Sequence, residues 1–240
     1  MKKNFMHLMA IMVGIMTSAC IVSCDDKDKP EDTDETKTEK DFILGTWNFK
    51  NNYDERISIT FFDNGTYAHC DYQDDDNYEG FYKLTSDLVV FTIVQGKDYT
   101  YNKSVKIIEL SDDSFIFEGD DEGDVHGIIY DGLYKGTKER NIDEKTVVRY
   151  RKEIIGEWSI TYGSVYGTET ATLDIKDNGT FLFYDEDGYY RGTYSICDDK
   201  IMMLEDTQKC PISGLSTIKE LNSERFVFTN TYYKEIVGSK

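Results

Sequence analysis

The chain has 240 residues, with 46 acidic against 27 basic side chains, a formal net charge of -19, two Pro, 18 Gly, 18 Tyr and 13 Phe. The acidic excess repels a phosphate backbone, so nucleic acid is not an expected partner. Many Tyr, Phe, Thr, Val and Ile, punctuated by Gly and Asn/Asp, describe strands joined by tight turns, an all-β class.

Lys2 and Lys3 precede an apolar run over residues 8–22. That run is shorter than the roughly 20 residues a spanning helix needs, and it reads as a signal peptide over residues 1–23. It ends in Ile21-Val22-Ser23-Cys24, which resembles the lipobox of bacterial lipoproteins. The resemblance implies cleavage before Cys24 and acylation of it, hence a membrane tether at a bacterial outer membrane. Cys20 is the competing acceptor, but Thr17 stands where an aliphatic residue is expected. Asp25-Asp26-Lys27-Asp28-Lys29 resembles the surface-export signal of Bacteroidetes lipoproteins; as plain charge it solvates a linker. Residues 24–40 carry too little apolar surface to offset their ordering entropy and are expected to form a flexible stalk.

The remainder is a duplicated module. Gly45-Thr46-Trp47 returns as Gly156-Glu157-Trp158, Asp63-Asn64-Gly65-Thr66 as Asp177-Asn178-Gly179-Thr180, and Glu109-Leu110 as Glu220-Leu221, with offsets of 111, 114 and 111 residues. Three landmarks in one order make a tandem repeat, with modules over 41–138 and 139–240. In the first module strands are predicted at 46–50, 56–62, 66–72, 78–84, 88–94, 99–110, 114–118 and 125–134. Asp63-Asn64-Gly65 is hairpin chemistry, with the glycine in the left-handed position. Eight short strands with short links suit an antiparallel up-and-down barrel, which leaves no exposed edge.

A Gly-x-Trp opening the first strand, followed by an eight-strand meander and repeated in each module, resembles the lipocalin family, and the tandem form resembles the lipocalin-like lipoproteins of Bacteroidetes. The resemblance implies that Trp47 and Trp158 close one end of their barrels beneath a basic side chain. Arg56, Arg191 and Arg225 are candidates for that partner, without matching positions. A related small barrel or a β-sandwich stays open as an alternative.

At the start of the second module, residues 139–155 have helical spacing, with Asp143 and Glu144 near the start, and predict a short helix capping its barrel. Strands are then predicted at 158–165, 168–175, 180–185, 189–197, 200–204, 213–221, 225–230 and 232–237. Alternation puts Tyr190, Tyr194 and Ile196 on the inward face, with Arg191, Thr193 and Ser195 outward. Phe181 and Phe183, and Phe226 and Phe228, also point inward. These six rings either line a ligand cavity or fill a closed core.

Little else carries chemistry. Cys197 and Cys210 are candidates for a bridge across the intervening strand, either joined or free, and Cys70 reads as a buried thiol. No Cys or His spacing suits a metal. His69, between Tyr67 and Asp71 in alternation, reads as a sheet-face residue. The acidic runs at 74–77 and 185–188 lack a calcium-loop framework and read as turns. No catalytic motif or cofactor signature is present, so an enzyme is not expected. Two functions remain: a monomeric envelope lipoprotein whose barrels bind an apolar small molecule, or a surface scaffold that meets a glycan or protein through exposed aromatics, with Tyr53, Tyr72, Tyr78, Tyr99, Tyr101, Tyr162, Tyr166 and Tyr189 near loop ends.

Overall fold

The computed structural model describes residues 38–71, 77–95, 99–119, 132–164, 167–205, 210–230 and 235–240. Cys24 and Cys20 lie outside them, as do residues 24–37 of the stalk. The described residues form two closed antiparallel barrels of eight strands each. The first comprises β1 (Gly45–Lys50), β2 (Arg56–Phe61), β3 (Thr66–Asp71), β4 (Asn77–Leu84), β5 (Leu88–Gln95), β6 (Tyr99–Leu110), β7 (Phe115–Gly119) and β8 (Gly132–Glu139). The second comprises β9 (Gly156–Ser164), β10 (Gly167–Ile175), β11 (Thr180–Tyr184), β12 (Tyr189–Cys197), β13 (Lys200–Glu205), β14 (Gly214–Leu221), β15 (Arg225–Asn230) and β16 (Ile236–Ser239). Each strand pairs with the next, and β1 with β8 and β9 with β16 close the circles.

The duplicated landmarks mark the corners. In each Asp-Asn-Gly turn the glycine sits at positive φ, +83° for Gly65 and +81° for Gly179. The Asn side chain accepts from the following Thr backbone at 3.0 Å in the first barrel and 3.2 Å in the second. A tyrosine clasps each turn from the neighbouring strand: the Tyr82 hydroxyl donates to Phe62 O and the Tyr194 hydroxyl to Lys176 O, both at 2.9 Å. Glu109-Leu110 and Glu220-Leu221 each follow a break in register, between β6 and β7 and between β14 and β15. The bulge leaves Ile108 half exposed.

Among the described residues a short helix precedes each barrel. The second, α2 (Glu144–Glu153), is capped by Asp143, whose carboxylate accepts from Thr146 N at 2.9 Å. It packs Ile142, Val147 and Ile154 on the second core and leaves Val148 exposed. The first, α1 (Glu39–Ile43), was not expected. It orders the last residues assigned to the stalk, because Asp41 takes the backbone and side-chain donors of Thr38 at 2.8 and 2.7 Å.

Two strands are displaced from their predicted places. The eighth runs over Gly132–Glu139 rather than 125–134, and residues 125–131 lie outside those described. The last is Ile236–Ser239 rather than 232–237, with 232–234 likewise outside. In both cases the closing strand must carry a glycine where the barrel is tightest: a Cβ on Gly136 would run into the Phe49 ring, and one on Gly238 into the Phe226 ring.

Both barrels lie in one compact unit, Lys37–Lys240, and they share a built junction. Phe62, Ala68 and Met202 are buried there to 3 % exposure or less, against Cys197 and Leu215. Asp63 accepts from Ser195 Oγ at 2.6 Å and pairs with Arg151 at 3.0 Å. Glu79 Oε1 accepts from Leu215 N at 3.0 Å, above Gly214, whose Cβ would stand 2.5 Å from that oxygen.

Candidate functional site

At one end of each barrel a tryptophan forms the floor. Trp47 and Trp158 are fully buried, and each indole N–H donates to a carbonyl four residues earlier, Ile43 O at 2.8 Å and Ile154 O at 2.6 Å. The basic side chain over each ring is a lysine of the closing strand or just beyond it. Lys138 Nζ lies 5.1 Å from the Trp47 ring and Lys240 Nζ 4.3 Å from the Trp158 ring. Arg56, Arg191 and Arg225 do not take this place. Each ammonium also caps a helix end, Lys138 on Phe42 O and Lys240 on Glu153 O and Ile155 O. Gly45 and Gly156 open their strands at φ +123° and +124°, beneath these lysine stems. The signal was in the chain as a repeated tripeptide, Gly136-Thr137-Lys138 and Gly238-Ser239-Lys240.

Above the floor the two interiors differ. The second is packed with rings and aliphatic side chains: Phe181 and Phe183 are fully buried on β11, among Leu173, Ile175, Ile196, Ile201 and Met203, and one carboxylate, Glu205, is buried on the same face of β13, where it accepts from Cys210 N at 3.3 Å. Phe226 and Phe228 stack at 4.3 Å, with Trp158 edge-on to Phe226 at 5.0 Å. Tyr194 is buried with its hydroxyl spent on the hairpin, and Tyr190 packs against the core from its edge. The six residues expected to line a cavity are thus packed on one another and on their neighbours.

The first interior carries hydrogen-bonding groups at the same positions. Tyr67 and His69 on β3 stand 114 residues before Phe181 and Phe183. Both are inward and buried, at 1 % and 4 % exposure. The Tyr67 ring packs edge-on to Phe91 at 4.8 Å, and its hydroxyl has no hydrogen-bond partner among the described residues. Burial, with Glu79 nearby, raises its pKa, so it stays a neutral hydroxyl. The His69 imidazole stacks on Tyr78 at 5.7 Å.

Near the mouth the difference continues. Asn51, 5 % exposed, donates to Glu55 Oε2 at 2.5 Å and to the Tyr134 hydroxyl at 3.2 Å. Its own carbonyl accepts the backbone N–H groups of Tyr53 and Glu55. The Tyr134 hydroxyl donates to Glu55 at 3.1 Å, and burial, then the Glu55 charge, raises its pKa. In the second barrel the equivalent carboxylate, Glu169, accepts from the Tyr162 hydroxyl at 3.0 Å, while Ile236 stands where the first has Tyr134. Lys103 also faces the first interior, opposite Phe91 in the β5–β6 register; the matching residue on β14 is Gly214.

Cys197 and Cys210, the candidates for a bridge, are free thiols, and Cys70, read as buried, is only partly so. Cys197 packs at the junction outside the second barrel, whereas Cys210 belongs to the core inside it. The sheet wall stands between them, and burial pushes both thiols up to about 12. Asp185 uses its carboxylate to cap its own turn, accepting from Asp187 N and Gly188 N. Among the described residues no group of three or more His, Cys, Asp or Glu could hold a metal, and no helix is long and apolar enough to cross a membrane. Of the aromatics expected at loop ends, Tyr53 and Tyr189 are exposed, at 69 % and 56 %, and Tyr162 is buried. Tyr78 is partly buried. Tyr72 and Tyr166, and the side chains of Tyr99 and Tyr101, lie outside what is described. Tyr189 meets Tyr184 edge-on at 5.0 Å.

No family model matches the chain, and no curated protein matches it.

Proposed function

We propose that the protein is a non-catalytic binding protein of a bacterial cell envelope, tethered through Cys24, whose first barrel takes a small molecule and whose second is a packed support. The observation that carries this reading is the Tyr67 hydroxyl, buried without a partner among the described residues where the second barrel has the ring of Phe181. A buried hydroxyl left unpaired costs about 1–3 kcal/mol, so a chain that keeps it beside an apolar alternative gains something else from it. His69, Asn51 and Tyr134 add polar groups around an aromatic wall. The ligand is therefore a small molecule with an apolar body and a hydrogen-bonding group, not a purely hydrocarbon one. The lipobox resemblance and the acidic linker support an outer-membrane address, with the cell surface as one destination.

Native mass spectrometry of chain purified without detergent tests this. A bound mass is expected in the parent and is expected to weaken in Tyr67→Phe and His69→Phe, which copy the second barrel's residues into the first. A parent without bound mass, or one whose occupancy both variants leave intact, contradicts the assignment. A second reading, a glycan or protein scaffold, is favoured by the exposed Tyr184–Tyr189 pair. Tyr184→Ala with Tyr189→Ala is expected to abolish glycan-array binding if that reading holds.

A further inference from the structure

The two barrels hold the same pair of rings at one inward position each. In the second, Phe183 on β11 lies between Leu173 of β10 and Tyr190 of β12, and its ring meets that of Tyr190 at 5.8 Å. In the first, His69 on β3 lies between Ile59 of β2 and Tyr78 of β4, and its ring meets that of Tyr78 at 5.7 Å. The strand, the aliphatic neighbour, the tyrosine and the ring separation are all kept, while a phenyl is exchanged for an imidazole. In such a place an imidazole adds no packing to what a phenyl supplies; it adds nitrogens that bind a proton. Histidine is the side chain whose ordinary pKa, roughly 6.5, puts its charge change between about pH 5 and about pH 8. His69 is the single histidine among the described residues, and it is 4 % exposed.

The groups that share the first interior with His69 set the sign of its response. Tyr67 and Asp71 stand two residues away on either side along β3, and Tyr78 faces it from β4. Glu55 lies ahead of β2, where it meets Tyr134 of β8, and Lys103 faces inward from β6. We propose that His69 is a proton switch on this interior: its neutral imidazole holds the small molecule, and the imidazolium releases it as the pH falls. The inference rests on the reading of the first barrel as the one that binds. A proton on a buried ring puts a charge beside the apolar body of the bound molecule, which has nothing to solvate it with. It also turns both ring nitrogens into donors, so that neither accepts any longer from the molecule's polar group. Asp71, toward the mouth on the same face, attracts the imidazolium away from the Tyr78 stack and toward solvent. The Lys103 charge opposes proton uptake and the Glu55 charge favours it; together they move the midpoint and leave the direction unchanged.

Fluorescence titration of the full-length chain with N-phenyl-1-naphthylamine, a neutral probe with an apolar body and one N–H, tests the proposal from about pH 8 down to about pH 5. The parent's affinity is expected to fall through the histidine range, by up to about tenfold per pH unit, the limit for one linked proton. His69→Gln keeps hydrogen-bonding atoms but takes up no proton, and His69→Phe copies the second barrel. Both are expected to bind with an affinity that no longer changes with pH. Glu79→Gln, which removes the carboxyl at the junction, is expected to leave the dependence in place. A parent affinity that stays level or tightens on acidification overturns the switch and leaves the binding reading standing, as does a dependence that persists in both His69 variants. A parent that binds no probe at any pH overturns the two together.

Discussion

The two barrels share a floor, a hairpin, a bulge and a clasp, yet they differ where a ligand would reach. Along β3 the inward positions read Tyr67, His69, Asp71; along β11 they read Phe181 and Phe183, with Asp185 just beyond its end. At these positions one duplicate packs rings and the other keeps a hydroxyl and an imidazole, while on the next strands the second buries Glu205 where the first has Ile93. Because the two share topology, the second serves as an internal control for the first: what both retain is needed to close the barrel, and what only one retains calls for another explanation.

The largest effect is expected at what both retain. Trp47→Ala and Trp158→Ala each remove a fully buried indole, its hydrogen bond and the platform for a lysine, at a cost of about 3–5 kcal/mol. Equilibrium unfolding in urea checks this, and an unequal pair of losses would show that one floor bears more of the fold. Next is the junction. Met202→Ala is expected to cost about 2 kcal/mol, at the low end for a buried Met, although Met202 lies in neither core. Inter-domain contacts that bury an apolar centre do not leave their domains free. The parent is therefore expected to show coincident unfolding of the two tryptophan signals, read singly in Trp47→Phe and Trp158→Phe backgrounds, and Met202→Ala to separate them. Tryptophan signals already separate in the parent would mean that the barrels are independent after all.

Much of this architecture is legible in the sequence, because its determinants are local. Asp-Asn-Gly turns dictate hairpins, and alternation in 190–196 gives the inward face correctly. The closing strands were harder. Residues 125–134 hold more β-branched and aromatic side chains than 132–139, but closure depends on Gly136 beside Phe49 and Lys138 over Trp47, contacts made by residues about 90 apart. The junction was not legible, since Phe62, Ala68 and Met202 on outward faces look like ordinary surface exceptions until the second barrel covers them. Between the two cysteine alternatives parity decides for free thiols: Cys197 shares the outward parity of Ser195, whereas Cys210 belongs to the core. The polar interior at Tyr67 and His69 was also within reach, by laying the repeats over each other at 114 residues and asking where an aromatic ring had lost or gained a polar atom.

Smaller effects sharpen the contrast. Phe181→Tyr places the first barrel's hydroxyl among the packed rings of the second core and is expected to cost about 1–3 kcal/mol. A lesser effect is expected from Glu79 at the junction. Burial raises its pKa, against the opposing pull of the Leu215 N–H. A carboxyl whose folded-state pKa lies above its unfolded value contributes stability that is complete below the unfolded pKa and is lost as pH rises through the folded one. Glu79→Gln keeps an acceptor for Leu215 N and is expected to remove that loss, raising stability at neutral pH and flattening the profile above the ordinary carboxylate range. Urea midpoints measured across that range check it, and an unchanged profile would mean that Glu79 titrates normally.

The most direct test of the difference between the barrels is the stability of Tyr67→Phe in the full chain without ligand. If the hydroxyl is buried and unpaired, its removal leaves the ring packed on Phe91 and raises the unfolding free energy by about 1–3 kcal/mol. A variant less stable than the parent would contradict the account, because the hydroxyl would then have a structural partner and the first interior would be no more a binding site than the second.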